Sequence, residues 1–346
     1  MKKIYYIAVV FATLFLAGCG DGIDLPGVNV ETDLNKIPLP DNNVNLEQVE
    51  LKPSTEPMLH EGLHTEEDFQ RIRDKKAAGE EPWVSAYQLL VESQFSQKTA
   101  DTYPTELIKR GISGDENYMN AARGATIAYQ QALRWKIEQD DEYAAKAVEN
   151  LNKWVQTCVG VTGNTNLSLA AGLYGYEFAI AGELLRDYGG WERADFAAFQ
   201  NWLLKVFYPA NDDFLKRHHD TNALHYWANW CLCNIAAKMA IGIVTDRRDI
   251  YNEGIAHLQT GDTNGRLRRA IYHDYAPDYN FAQWQESGRD QGHTLMCVGL
   301  MGIICQLAWS QGDDFFAYDD NLFLRACEYA ACCNYTNETV PYTTYI

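Results

Sequence analysis

After residue 60, apolar side chains recur at three- and four-residue spacings and strict alternation is rare, so the pattern predicts helices almost throughout. The clearest covers Tyr118 to Glu138, where Ala122, Ala125, Ile127, Ala128, Ala132, Leu133, Trp135 and Ile137 form one broad apolar face. Asp140 and Asp141 close it, and a second helix is expected over 142–158. Further pairs are expected at 167–188 with 191–206, 221–243 with 249–259, and 290–311 with 321–333. Tandem antiparallel hairpins close either as a solenoid or as an (α/α) toroid. A solenoid repeats a consensus, whereas here every pair differs and the connections between pairs are long. The expected fold class is therefore all-α, an incomplete (α/α) toroid.

The N-terminus has a different pattern. Lys2 and Lys3 precede an apolar run from Ile4 to Leu16, which ends in Leu16-Ala17-Gly18-Cys19. That is a signal peptide with a lipobox, and the run falls short of the roughly 20 residues a spanning helix needs. Residues 1–19 are read as the signal, with Cys19 as the lipidated residue, and 20–57, rich in Asp, Asn, Pro and Val, as a flexible tether. One domain occupies 58–346. After residue 333 the chain is polar and tyrosine-rich and predicts no terminal helix, so the toroid is expected to be short at that end. Membrane contact would be through the lipid only, in the periplasmic space or on the outer-membrane surface.

A hydrophobic content of 47%, with nine Trp and 21 Tyr, is enough for a single large core. The formal charge of −18 excludes nucleic acid as a partner and requires that any site for an acidic ligand be locally basic or neutral. Most of the nine cysteines sit in apolar helical stretches as buried thiols; Cys231-x-Cys233 lacks a zinc spacer, and Cys332 and Cys333 are adjacent. No metal or cofactor is expected, and there is no phosphate loop, nucleophile elbow or dinucleotide fingerprint.

Two stretches concentrate candidate chemistry. In Asn222-Ala223-Leu224-His225-Tyr226-Trp227-Ala228-Asn229-Trp230, a helix would set Asn222, His225 and Asn229 on one face. In Glu286-Ser287-Gly288-Arg289-Asp290-Gln291-Gly292-His293-Thr294, a polar run feeds an apolar helix, placing Arg289 and His293 where a helix N-terminus favours an anion. The connection over 267–286 adds Tyr272, His273, Tyr275, Tyr279 and Trp284, suited to lining a sugar cleft.

These residue types suit elimination from a 4-linked uronide. The C5 proton becomes removable once the adjacent carboxylate is neutralised by Arg or Asn, and His or Tyr must take that proton and return one to the leaving oxygen. A hydrolase would instead need a carboxylate pair, for which Glu177, Glu183, Asp220, Glu286 and Asp290 are available. Aromatic platforms without a placed base would make a lipid-anchored glycan-binding protein.

Four segments resemble the bacterial alginate lyase superfamily. They are Leu63 to Phe69 with Arg71 and Ile72, the hairpin with Ala128 to Trp135 and Ala147 to Trp154, and the two candidate stretches. The resemblance implies depolymerisation of alginate or a related acidic polysaccharide on an (α/α) toroid. It implies that Asn222 neutralises the carboxylate, that His225 is base or acid beside a tyrosine, and that Arg289 and His293 bind or polarise the uronate. Tyr226, Tyr272, Tyr275, Tyr279 and Tyr342 all qualify as that tyrosine, with Tyr226 taken as first candidate. Asn229, Trp230, Glu286, Gln291 and Tyr279 would contact substrate.

Overall fold

The computed structural model describes residues 55–336 and 339–345. The signal, Cys19 and nearly all of the tether lie outside the described residues. Helix α1 (Glu66–Ala77) opens with a capping box in which Thr65 and Asp68 satisfy each other's backbone amides. It is followed by α2 (Trp83–Glu92) and a short strand β1 (Leu107–Arg110). Four hairpins then follow: α3 (Tyr118–Glu138) with α4 (Asp141–Thr157), and α5 (Leu167–Leu184) with α6 (Arg193–Val206) and α7 (Tyr208–Arg217). The last two are α8 (Ala228–Val244) with α9 (Arg248–Thr260), and α11 (Gln291–Ser310) with α12 (Tyr318–Tyr335). The expected helices are present to within a few residues at most ends, with one exception of consequence. The helix expected from 221 begins only at Ala228.

Strand β2 (Gly160–Gly163) pairs in parallel with β1. A one-turn helix α10 (Leu267–Ala270) leads into the hairpin of β3 (Ile271–Asp274) and β4 (Ala282–Trp284). Strands this short carry no readable alternation, which is why the sequence pattern did not show them.

The inner layer is α3, α5, α8 and α11, each packed on the next, with α4, α6, α9 and α12 outside. Inner helices are apolar nearly all round: every residue of α8 except Trp230 is buried. Helix α11 is long and apolar enough to cross a membrane, but most of it is buried in this layer, as befits a core helix. Small residues permit the close approach. A methyl at Gly182 would lie 2.2 Å from the buried Phe199 ring. Gly182→Ala is therefore expected to destabilise by about 1–3 kcal/mol, read as a lower denaturation midpoint at unchanged m-value.

Because each hairpin doubles back, the inner helices run the same way and their ends define two rims. At the C-terminal rim, Arg186 bonds the Ile243 and Val244 carbonyls. Residues 57–64 cross this rim: Gln311 pairs with the Leu59 backbone in both directions at 2.9 Å, and His60 meets Asp246 at 2.9 Å. His64 then reaches the Tyr129 hydroxyl at 2.6 Å inside the ring.

Near that contact lies Glu177, whose carboxyl burial pushes up to about 8, while burial takes His64 down to about 4. The folded state thus holds a proton on Glu177 that the unfolded chain releases near 4.5, so this contribution to stability falls as pH rises from 4.5 to 8. The His64 contribution runs the other way, growing as pH rises from 4 to 6.5. Glu177→Gln is expected to remove the decline and to gain about 1–3 kcal/mol over the parent at the alkaline end, with little difference at pH 5. Thermal melts across pH check this.

Candidate active site at the N-terminal rim

At the opposite rim the segments entering the four inner helices meet. Strands β1 and β2, which precede α3 and α5, are paired. Ser168 in the first turn of α5 meets the His219 Nε2 at 3.0 Å, ahead of α8. The first amide of α8, Ala228 N, donates to the Gln285 side chain ahead of α11 at 3.1 Å. Four helix N-termini thus face one end of the molecule, favouring negative charge there despite the chain's net charge.

The approach to α8 is backbone-strained. His218, His219 and Asp220 all adopt left-handed φ values of 48°, 52° and 60°, a conformation that side chains with a Cβ resist. Packing holds it. The His218 ring lies against Phe214 at 4.7 Å, with its Nε2 3.5 Å from the Cys231 sulfur, and the Thr221 hydroxyl donates to the His218 carbonyl at 2.6 Å. Burial lowers the His218 pKa, with His219 and His225 adding to the effect.

The kink sends 221–227 over the end of α8 as a loop, which corrects the expectation of a shared helical face. The Asn222 side chain accepts from the Leu224 amide at 2.7 Å, an Asx turn, and its carbonyl takes the His225 amide at 2.9 Å. Asn222 and His225 are both exposed, and the His225 ring stands edge-on to the Tyr226 ring at 4.8 Å. Tyr226 is buried, ringed by Phe214 at 5.2 Å, His219 at 5.7 Å and Trp230 at 4.7 Å. Trp230 is half-buried in this stack. Asn229, expected to contact substrate, is only 3% exposed, in the first turn of α8.

The second stretch follows β4. Asp290 caps α11 by accepting the His293 amide at 2.9 Å, and the His293 Nδ1 lies 3.1 Å from Asp290 and 3.2 Å from Glu286. Glu286 also pairs with Arg289. At 1% exposure Glu286, expected to contact substrate, lies beneath Arg289 and His293 and supports both, and its Oε2 has no hydrogen-bond partner among the described residues. Burial pushes its carboxyl up, while the His293 and Arg289 charges pull it back. Gln291 is likewise committed, donating to the Ser287 carbonyl and accepting from Asn334 at 3.1 Å. Tyr279, 53% exposed, sits in the loop joining β3 to β4.

What unites the two stretches is Trp227, over whose ring the Arg289 guanidinium lies at 4.7 Å. Neither Trp227 nor the pair His218 and His219 was singled out from sequence; the adjacent histidines ahead of an aromatic run were the available signal. Of the other candidate tyrosines, Tyr272 and Tyr275 are occupied in bonds to Thr343. Among the carboxylates a hydrolase would draw on, Glu183 pairs with Arg186 near the far rim, Asp220 with Arg217 and Glu286 with Arg289, while Asp290 caps α11.

The family model described as alginate lyase matches residues 73–338. The chain belongs to the alginate lyase family. It is a polysaccharide lyase, and its (α/α) toroid is that of solved alginate lyases. One is a His-to-Ala variant of alginate lyase A1-III complexed with tetrasaccharide, 14% identical at a TM-score of 0.62, covering 81% of this chain and 82% of that one. Another is alginate lyase A1-III from Sphingomonas species A1, 13% identical at a TM-score of 0.56, covering 80% of each chain. An alginate lyase from Bacteroides ovatus is 13% identical at a TM-score of 0.55, covering 78% of this chain and 82% of that one. No curated protein matches the sequence.

Proposed function

We propose that this lyase cleaves a 4-linked polyuronide, alginate or a close relative, by β-elimination at the N-terminal rim. The observation that carries the reading is the Arg289 guanidinium stacked on Trp227, which joins the two polar stretches at the end where the inner helices begin. A uronate carboxylate docked on Arg289, with the Asn222 amide nitrogen as second donor, loses the negative charge that otherwise opposes a carbanion at C5. His225, exposed and free of side-chain hydrogen bonds among the described residues, takes the C5 proton. The electrons form the C4–C5 double bond as the C4–O bond breaks. His293, its Nδ1 held by two carboxylates, has Nε2 left to protonate the leaving oxygen. Tyr226 supports the His225 ring from below.

A tetrasaccharide in the A1-III variant structure shows that a related protein binds an oligosaccharide, consistent with this reading. The test is incubation with defined polyuronides: elimination yields an ultraviolet-absorbing unsaturated uronide for each bond cut, whereas hydrolysis yields reducing ends alone. The lipobox ending at Cys19 further supports anchoring by lipid in the periplasmic space or on the outer-membrane surface. Cys19→Ser should release the protein from the membrane fraction and abolish incorporation of labelled fatty acid.

A further inference from the structure

The end of the described chain runs back to the candidate site and is held there by a purpose-shaped clasp. Gln283, buried on β4, presents its amide edge to one residue of the tail. Its Nε2 donates to the Thr343 carbonyl at 2.8 Å and its Oε1 accepts the Thr343 amide at 3.0 Å, as a neighbouring strand would. The Tyr272 hydroxyl donates to the same carbonyl, the Tyr275 hydroxyl to the Thr343 hydroxyl at 3.1 Å, and the Tyr329 hydroxyl to the Pro341 carbonyl at 2.8 Å. So many donors on a short extended segment fix its register.

The clasp sets two aromatic rings. Tyr342 lies against Gly288, where an added methyl would come within 2.1 Å of its hydroxyl and would have to displace that ring. Tyr345 packs on Trp227 at 5.5 Å and on Tyr272 at 4.9 Å, and the Gln285 amide is 3.4 Å from its hydroxyl. Trp227 thus touches both the Tyr345 ring and the Arg289 guanidinium.

We propose that the tail segment Pro341–Tyr345 forms a wall of the glycan site, with Tyr345 as a positioning residue that holds Trp227, and through it Arg289, in place for the uronate carboxylate. This rests on the elimination site assigned above and adds to it, beside the Glu286 pair, a second element that steadies its cation. Arg has a long, flexible side chain; stacking confines it before substrate arrives, so losing the stack weakens binding more than it slows the chemical step.

The test uses the full mature chain and a saturated mannuronate tetrasaccharide. Tyr345→Ala is expected to raise KM about tenfold with kcat within about twofold, and Tyr345→Phe, which keeps the ring, to bring KM back to within about twofold of the parent. Since a merely structural role would lower activity through stability, each variant is also melted. Adding Trp227→Ala to Tyr345→Ala should raise KM little beyond the larger single effect, because both changes disrupt the same stack on the guanidinium, leaving only its pair with Glu286. Unchanged KM in Tyr345→Ala, or fully additive effects of the two changes, overturns the proposal while leaving the elimination site intact. A parent protein that produces no unsaturated uronide from any polyuronide brings down the site assignment, and this proposal with it.

Discussion

His225→Ala is expected to lower kcat by about 10²–10⁴-fold while leaving the melting temperature nearly unchanged. The two halves of that expectation have different origins. The imidazole is exposed, meets the Tyr226 ring and makes no side-chain hydrogen bond among the described residues, so its removal opens no cavity and strands no hydrogen-bond partner. Stability should then change by no more than a surface substitution does, about 0.5 kcal/mol. The neighbouring histidines are already committed: His218 is buried against Phe214 and Cys231, His219 is engaged with Ser168, and His293, its Nδ1 held by two carboxylates, serves the leaving oxygen in this scheme. Single-turnover kinetics with a defined tetrasaccharide, alongside a thermal melt, separates the two. A variant that melts early and loses activity in proportion would show that His225 holds the loop together instead.

Arg289→Ala is expected to cost about 10²–10³-fold in kcat/KM, the effect of losing one donor aimed at developing charge. This substitution also affects the fold. Glu286 is 1% exposed and pairs with Arg289, so removing the guanidinium leaves a buried carboxylate with only His293 beside it. The single variant should therefore be less stable, and the accompanying Glu286→Gln should restore stability without restoring turnover. Arg289→Lys keeps the charge but not the planar group that lies on Trp227, and is expected to recover only part of the lost activity. Full recovery by lysine would mean that charge alone suffices and that the stack has no part in catalysis.

Much of the architecture was legible because inner helices of a toroid are buried nearly all round and outer ones on one face, so both show the helical period strongly. Tyr118–Glu138 was read with both its ends. The failure at 221–227 has a specific cause. Its residues would continue the pattern of α8, but the left-handed run His218–Asp220 turns the chain out of helix, and that run is held by Phe214 one turn before it and by Cys231 and Ser168, whose contacts no local periodicity shows. The same loop separates Asn222 and His225 from Asn229, which a helix would have aligned.

The second stretch was better behaved, since Asp290 caps α11 by its own local chemistry. What sequence could not show there is depth. Glu286 and Arg289 are three residues apart, yet one is buried and the other exposed, a difference set by the packing of β4 and α12. Nor could it show that Tyr272 and Tyr275, which read as sugar platforms, spend their hydroxyls on Thr343.

The most direct test of elimination at this rim is a single experiment on the mature protein: ultraviolet absorbance and reducing ends followed together on polymannuronate, polyguluronate and glucuronan. The account predicts that absorbance rises in step with reducing ends on at least one of these polymers, and that both rates fall by about 100-fold or more in Arg289→Ala carrying Glu286→Gln. Reducing ends appearing without absorbance, or absorbance rising near the parent's rate in that variant, would contradict it.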